Sequence, residues 1–329
     1  GDLKVQADGA SAVTLDNANN VAVNVTGGLS TTGAGGGTKN IKMGTGTTWQ
    51  VAGNVNLTGG ALTAGTSTLV LAGTAADQTL TSATEIFNNL QINNTAADPA
   101  NDDVIIADPL DVNGTFTLTD GELDLDTNDP TVNIAGNITL DGGSITKSST
   151  GAQVTFDGDL TYTDNVGGLD IGDVAIGTSP DTTNLGSNIK VGHLQINGGD
   201  VLNTNGYDID AGGNITTIGT LNATAGAGGA SQINLEAIWN KTGVFTQDTS
   251  TVTFDGNNQS ILGSTTFNNL SKTNGNVTLT FEAGATQTIS GNLTLIGTAG
   301  NLLSLHSSAS PGIWNISVPA AKTLNYLSV

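Results

Sequence analysis

Apolar and small polar residues alternate along most of this chain. Val21-Ala22-Val23-Asn24-Val25, Val132-Asn133-Ile134 and Val277-Thr278-Leu279-Thr280-Phe281 each run a few residues and stop near Gly, Asn or Asp. Strict alternation places every second side chain on one face, which predicts short half-buried strands between tight turns. No i, i+3, i+4 pattern is sustained. The stretch Leu235-Glu236-Ala237-Ile238-Trp239 is too short for more than one helical turn.

The strands recur as a unit. Gly-polar-apolar-Thr/Asn-apolar reads Gly53-Asn54-Val55-Asn56-Leu57, Gly114-Thr115-Phe116-Thr117-Leu118, Gly136-Asn137-Ile138-Thr139-Leu140 and Gly158-Asp159-Leu160-Thr161-Tyr162. Weaker copies start at Gly213 and Gly291. The copies at 114, 136 and 158 lie 22 residues apart, a spacing within the range of solenoid coils. A longer unit also repeats. Thr66 to Gly73 matches Thr249 to Gly256, Gln78 matches Gln259, and Phe87-Asn88-Asn89-Leu90 matches Phe267-Asn268-Asn269-Leu270. Related sub-blocks therefore cover about 66–125 and 249–305. These features predict an all-β, right-handed parallel β-helix (β-solenoid) with a coil period of about 22, forming one elongated domain over 1–329. Roughly 15 coils at strand spacing would make a rod about 70 Å long. The alternative is a row of tandem β-sandwich domains.

Composition supports strands and turns. Of 329 residues 46 are Gly, apolar residues make up 36%, and cysteine is absent. The apolar fraction suits a thin core better than a wide one. Asp accounts for nearly all the negative charge, since Glu occurs only at 85, 122, 236 and 282. All eight basic residues are lysines. With a net charge of −21 and no arginine, the chain repels phosphate and lacks a bidentate phosphate fork, so nucleic acid is not an expected partner. No apolar run reaches membrane-helix length.

The pattern Thr251-Val252-Thr253-Phe254-Asp255-Gly256, Gln259-Ser260-Ile261, Phe267-Asn268-Asn269-Leu270 and Ile289-Ser290-Gly291-Asn292-Leu293-Thr294-Leu295 resembles the repeats of large bacterial surface and secreted proteins. It is similar in style to filamentous-haemagglutinin and autotransporter-passenger β-helices, over about residues 50–329. The resemblance implies a secreted, cell-surface or extracellular structural protein, a filament component or adhesin, and no catalytic residues. Expected partners are other copies of the chain, glycans or a host surface. Both ends read as strand without a cap, the expectation for a segment of a longer repetitive chain or for copies stacked end to end.

Candidate chemistry is sparse. Gly33-Ala34-Gly35-Gly36-Gly37-Thr38-Lys39 lacks phosphate-loop spacing and reads as a turn. Asp124, Asp126 and Asn128 alternate as if on one strand face, a weak candidate for Ca²⁺. Position six of that stretch is Asp129 instead of Gly and position twelve is Ala135 instead of Glu, so it is no EF-hand loop. A solvated acidic edge is the plainer reading. His193 and His306 lack triad or metal spacing. The pairs Asp157/Asp159 and Asp208/Asp210 are the carboxylates a β-helix polysaccharide lyase or hydrolase would need. Thr-x-Thr pairs (Thr66/Thr68, Thr115/Thr117, Thr161/Thr163, Thr251/Thr253) raise an ice- or glycan-binding face, but they recur irregularly. Asn-x-Thr/Ser sequons follow automatically from strand alternation. The reading that best absorbs all of this is a non-enzymatic structural protein.

Overall fold

The computed structural model describes residues 1–32, 36–147, 153–177 and 180–329. They hold strands and turns and no helix, and they wind as a parallel β-solenoid of about 14 turns with a spacing near 22 residues. The chain divides into two compact units, Gly1–Leu169 and Asp170–Val329.

In the first unit each strand pairs with the third strand after it, so three faces grow side by side. One face runs Leu3–Lys4, Leu29–Ser30, Val55–Asn56, Gln78–Thr81, Asp103–Ile106, Glu122–Asp124 and Ser144–Thr146. A second runs from Val23–Val25 through Thr48–Val51, Thr68–Leu71, Asn89–Asn93, Phe116–Asp120 and Ile138–Leu140 to Leu160–Asp164. The third is broken. Val13–Asp16, Lys39–Lys42 and Ala61–Thr63 form one sheet, and Ile86–Phe87 starts another. The second unit repeats the plan. Its broken face ends one sheet at Val244–Thr246 and starts a new one at Thr265–Phe267. The tandem-sandwich alternative falls, because these ladders are parallel throughout.

The core is built from ladders of inward side chains on each face. In the first unit Val25, Val51, Leu71, Ile92, Leu118 and Leu140 stack in register through six successive coils, all buried. In the second, Val174, Leu194, Ile215, Trp239, Ile261 and Phe281 do the same. Each fully buried side chain of this size contributes about 1.5–3 kcal/mol, so a modest apolar fraction suffices when alternate residues of most strands point inward. Trp239 packs against Phe245 and Phe267 at centroid distances of 4.9 and 5.4 Å. Its indole N–H donates to the Thr265 hydroxyl at 3.2 Å, so its polar atom is satisfied.

Coils differ in length. Paired residues are 26 apart at Leu3/Leu29 and 19 apart at Val104/Leu123, and the corners absorb the difference. The repeat starting at Gly158 shows how. Its spacing pairs Ile138 with Leu160, yet the structure pairs Ile138 with Tyr162. A two-residue slip leaves every side chain on its own face, so the larger Tyr162 ring takes the core position, stacked 6.0 Å from Phe156, without disturbing the alternation.

The abundance of Asn has a structural cause. At the corners a side-chain oxygen reaches one coil ahead and accepts a backbone N–H. Asn54 accepts from Thr79 at 2.9 Å, Asn137 from Thr161 at 2.8 Å, Asn188 from Asp208 at 2.9 Å and Asn269 from Asn292 at 2.8 Å. Corners leave strand donors without ladder partners, and a short amide side chain supplies the acceptor locally.

Candidate functional site

Asp124, Asp126 and Asn128 do not share a strand face. The strand ends at Asp124, and a turn follows in which Asp126 and Asn128 are exposed. The buried Asp124 carboxylate binds that turn: one oxygen accepts the N–H of Asp126 at 2.8 Å and of Thr127 at 3.0 Å, and the other accepts the Thr127 hydroxyl. The Asn128 amide donates to the Ile106 carbonyl at 3.3 Å. Among the described residues no group of three or more His, Asp or Glu side chains is placed to hold a metal.

A different acidic group does assemble, from residues far apart in sequence. Asp103 pairs with Glu122, Glu122 with Ser144, and the Asp103 N–H donates to Asp77 at 3.3 Å. Three carboxylates thus stand on successive coils at strand spacing. Burial, followed by the charges of Glu122, Asp77, Asp124 and Asp102, pushes Asp103 up to about 6. Asp102 and Asp111 are also raised, each chiefly by burial. Glu122 offsets part of the repulsion by accepting from the Ser144 and Thr146 hydroxyls. Only strand register brings these residues together, which is why no local motif announces them.

Several of the other candidates make contacts within the scaffold. Asp208 accepts the Gln232 N–H at 2.7 Å, and Asp210 lies 3.8 Å from Lys190. Asp157 and Asp159 flank the Gly158 corner. His193 stands at a corner where its Nδ1 accepts the Asn214 N–H at 2.8 Å. His306 pairs with Thr280 on an outer row. Thr117, Thr139 and Thr163 form one outward ladder, but Asn137 and Asp141 flank Thr139 where Thr115 and Thr119 flank Thr117, so a flat double row of threonines does not form. Residues 33–35 of the glycine-rich stretch lie outside the described residues.

Open grooves occur among the described residues, and two of them border side chains of interest. One, of about 550 Å³, lies over the first coils beside Asp2, Lys4, Gly28 and Asn54. The other, of about 620 Å³, is bordered by His306, Pro311, Ile313 and Trp314. The Trp314 ring stacks on Phe281 at 4.1 Å and 11°. Neither groove gathers an acid, a base and a nucleophile around one point, and the recurrent chemistry of the chain is backbone pairing plus carboxylate and amide acceptors.

No protein-family model, no curated protein and no solved structure matches this chain. What fold and side chains define is a class, the parallel β-solenoid repeat proteins. Among the described residues no helix is long and apolar enough to cross a membrane.

Proposed function

We propose that the protein is a structural component of an extracellular or cell-surface filament or adhesin. The observation that carries this reading is the ladder on each face of both units, in which a coil offers its successor the same parallel backbone edge and the same inward row. Such stacking makes stiffness and length out of repetition, and it lets copies or further repeats add by the pairing that joins the coils. The side chains that enzymes of similar architecture spend on chemistry are spent here on corners and turns: Asp208 on Gln232, Asp124 on its own loop, His193 on Asn214. The acidic surface keeps neighbouring bodies soluble.

Negative-stain electron microscopy of the full chain over a dilution series tests this. Filaments that lengthen with concentration, or rods that decorate isolated cell surfaces, are the expected result. Discrete particles that neither associate nor bind a surface, together with turnover of a polysaccharide, would overturn the reading in favour of a glycan-active enzyme.

A further inference from the structure

In the second unit one corner is built from a chain of forward-reaching acceptors. An Asp173 carboxylate oxygen accepts the His193 N–H at 2.8 Å, His193 Nδ1 accepts the Asn214 N–H at 2.8 Å, and the Asn214 side-chain oxygen accepts the Ile238 N–H at 3.0 Å. Carboxylate and amide oxygens accept in this way at any pH near neutral. An imidazole nitrogen accepts only while it carries no proton. The contact therefore assigns the tautomer: Nδ1 is bare and the ring proton is on Nε2. The ring lies close over the next coil, since a Cβ at Gly213 would come within 2.4 Å of both Cε1 and Nδ1. It is also exposed, so protons reach it freely.

We propose that His193 makes this corner an acid-sensitive joint. Protonation puts an N–H on Nδ1 facing the Asn214 N–H, two donors head to head, and the hydrogen bond joining the two coils is lost. The contact exists only with the neutral ring, so acidification that protonates the ring removes it. The charged groups at this corner are Asp173 in the coil before, Lys190 on the strand leading in, and Asp210 and Glu236 in the coils that follow. All four remain in place in the variant below. Asparagine occupies the equivalent position one coil on, so His193→Asn keeps a neutral acceptor there.

Nuclear magnetic resonance on the full ¹⁵N-labelled chain tests the joint. At pH 8 the imidazole of His193 should show the Nε2–H tautomer. Between pH 8 and pH 5.5 the protection of the Asn214 amide against exchange, corrected for intrinsic rate, should fall about tenfold, the loss of one hydrogen bond. The Ile238 amide, held by a side chain that does not titrate, should keep its protection. In His193→Asn both amides should stay protected at both pH values. An Nδ1–H tautomer at pH 8, equal protection of Asn214 at the two pH values, or the same tenfold fall in His193→Asn would each overturn the proposal.

Discussion

The blocks Gly73–Asn94 and Gly256–Asn274 carry the same repeat, yet they fill the same corner with opposite chemistry. In both, a buried glutamine crosses the corner to the coil before. Gln78 donates to Val51 and Gly53 carbonyls at 3.0 and 2.8 Å, and Gln259 donates to the Leu235 carbonyl at 2.7 Å. In both, an asparagine grips the loop: Asn94 donates to Ala76, and Asn274 to Asp255 and Gly256. The side-chain oxygen of Gln78 accepts the Gly73 N–H at 2.7 Å, from within its own loop. The second loop is two residues shorter between Gly and Gln, and the oxygen of Gln259 instead meets Lys272 Nζ at 2.6 Å. The same ammonium also donates to the Gly256 and Asn257 carbonyls at 2.9 and 3.1 Å. Lys272 falls where the repeat places Ile92, and both are fully buried. A shortened loop has turned its oxygens inward, and a cation has replaced a hydrocarbon to meet them.

The most severe way to break this equivalence is Ile92→Lys. The first block has no inward oxygens waiting, so an ammonium buried there stands unpaired, at a cost of about 4 kcal/mol. Denaturant unfolding followed by the fluorescence of Trp49, buried in the same unit, should show the loss. The reciprocal Lys272→Met leaves the Gln259 and Asn257 oxygens without their donor and the Gly256 carbonyl with Asn274 alone, and should cost about 2 kcal/mol, read from Trp239.

Acidity sharpens the contrast. Burial brings Lys272 down to about 8 against an ordinary 10.5, despite the attraction of Asp255. Between those values the unfolded chain holds more protons than the folded one, so stability of the second unit should rise with pH across that window. Lys272→Met should remove this rise. In the first block Asp77 stands where the second has Asn258, and Asp103 where it has Thr278. With Asp103 raised to about 6 in the folded state, its contribution is complete below the ordinary carboxylate value and is lost as pH climbs through 6. Asp103→Asn should therefore stabilise the first unit at pH 7 and flatten its thermal-melting profile between pH 4 and 7.

The smallest effect concerns the turn after each glutamine strand. The second block uses Gly263 at φ +81°. The first places Ala83 and Thr84 at +55° and +68°, held by Asp108, whose oxygens accept the Ser82 and Ala83 N–H groups at 2.7 Å each. A β-branched residue is strained there. Thr84→Gly should stabilise by about 1 kcal/mol, seen as a small upward shift in melting temperature.

Much of this architecture was legible from the chain. Alternation identified the inward residues because one face of most strands is buried, and the long repeat located both corners without showing what would fill them. Register was harder. Ile138 was spaced for Leu160 and pairs with Tyr162, a slip that a period of two cannot reveal. The acidic row of Asp77, Asp103 and Glu122 was invisible because it runs across coils of unequal length. Asp124 misled because alternation continued in the letters after the strand had stopped. Asn-rich corners read only as sequons until the forward hydrogen bonds gave them a purpose.

The tolerance for unequal coils has an evolutionary side. A gene encoding such a ladder can gain or lose residues at a corner, or slide a strand by an even step, and the encoded body still closes on its neighbours. Replication slippage, which would ruin most globular domains, here only resizes a bend. Lineages using this scaffold would diverge quickly in letters while keeping their shape, so kinship among them is best sought by comparing ladders instead of residues.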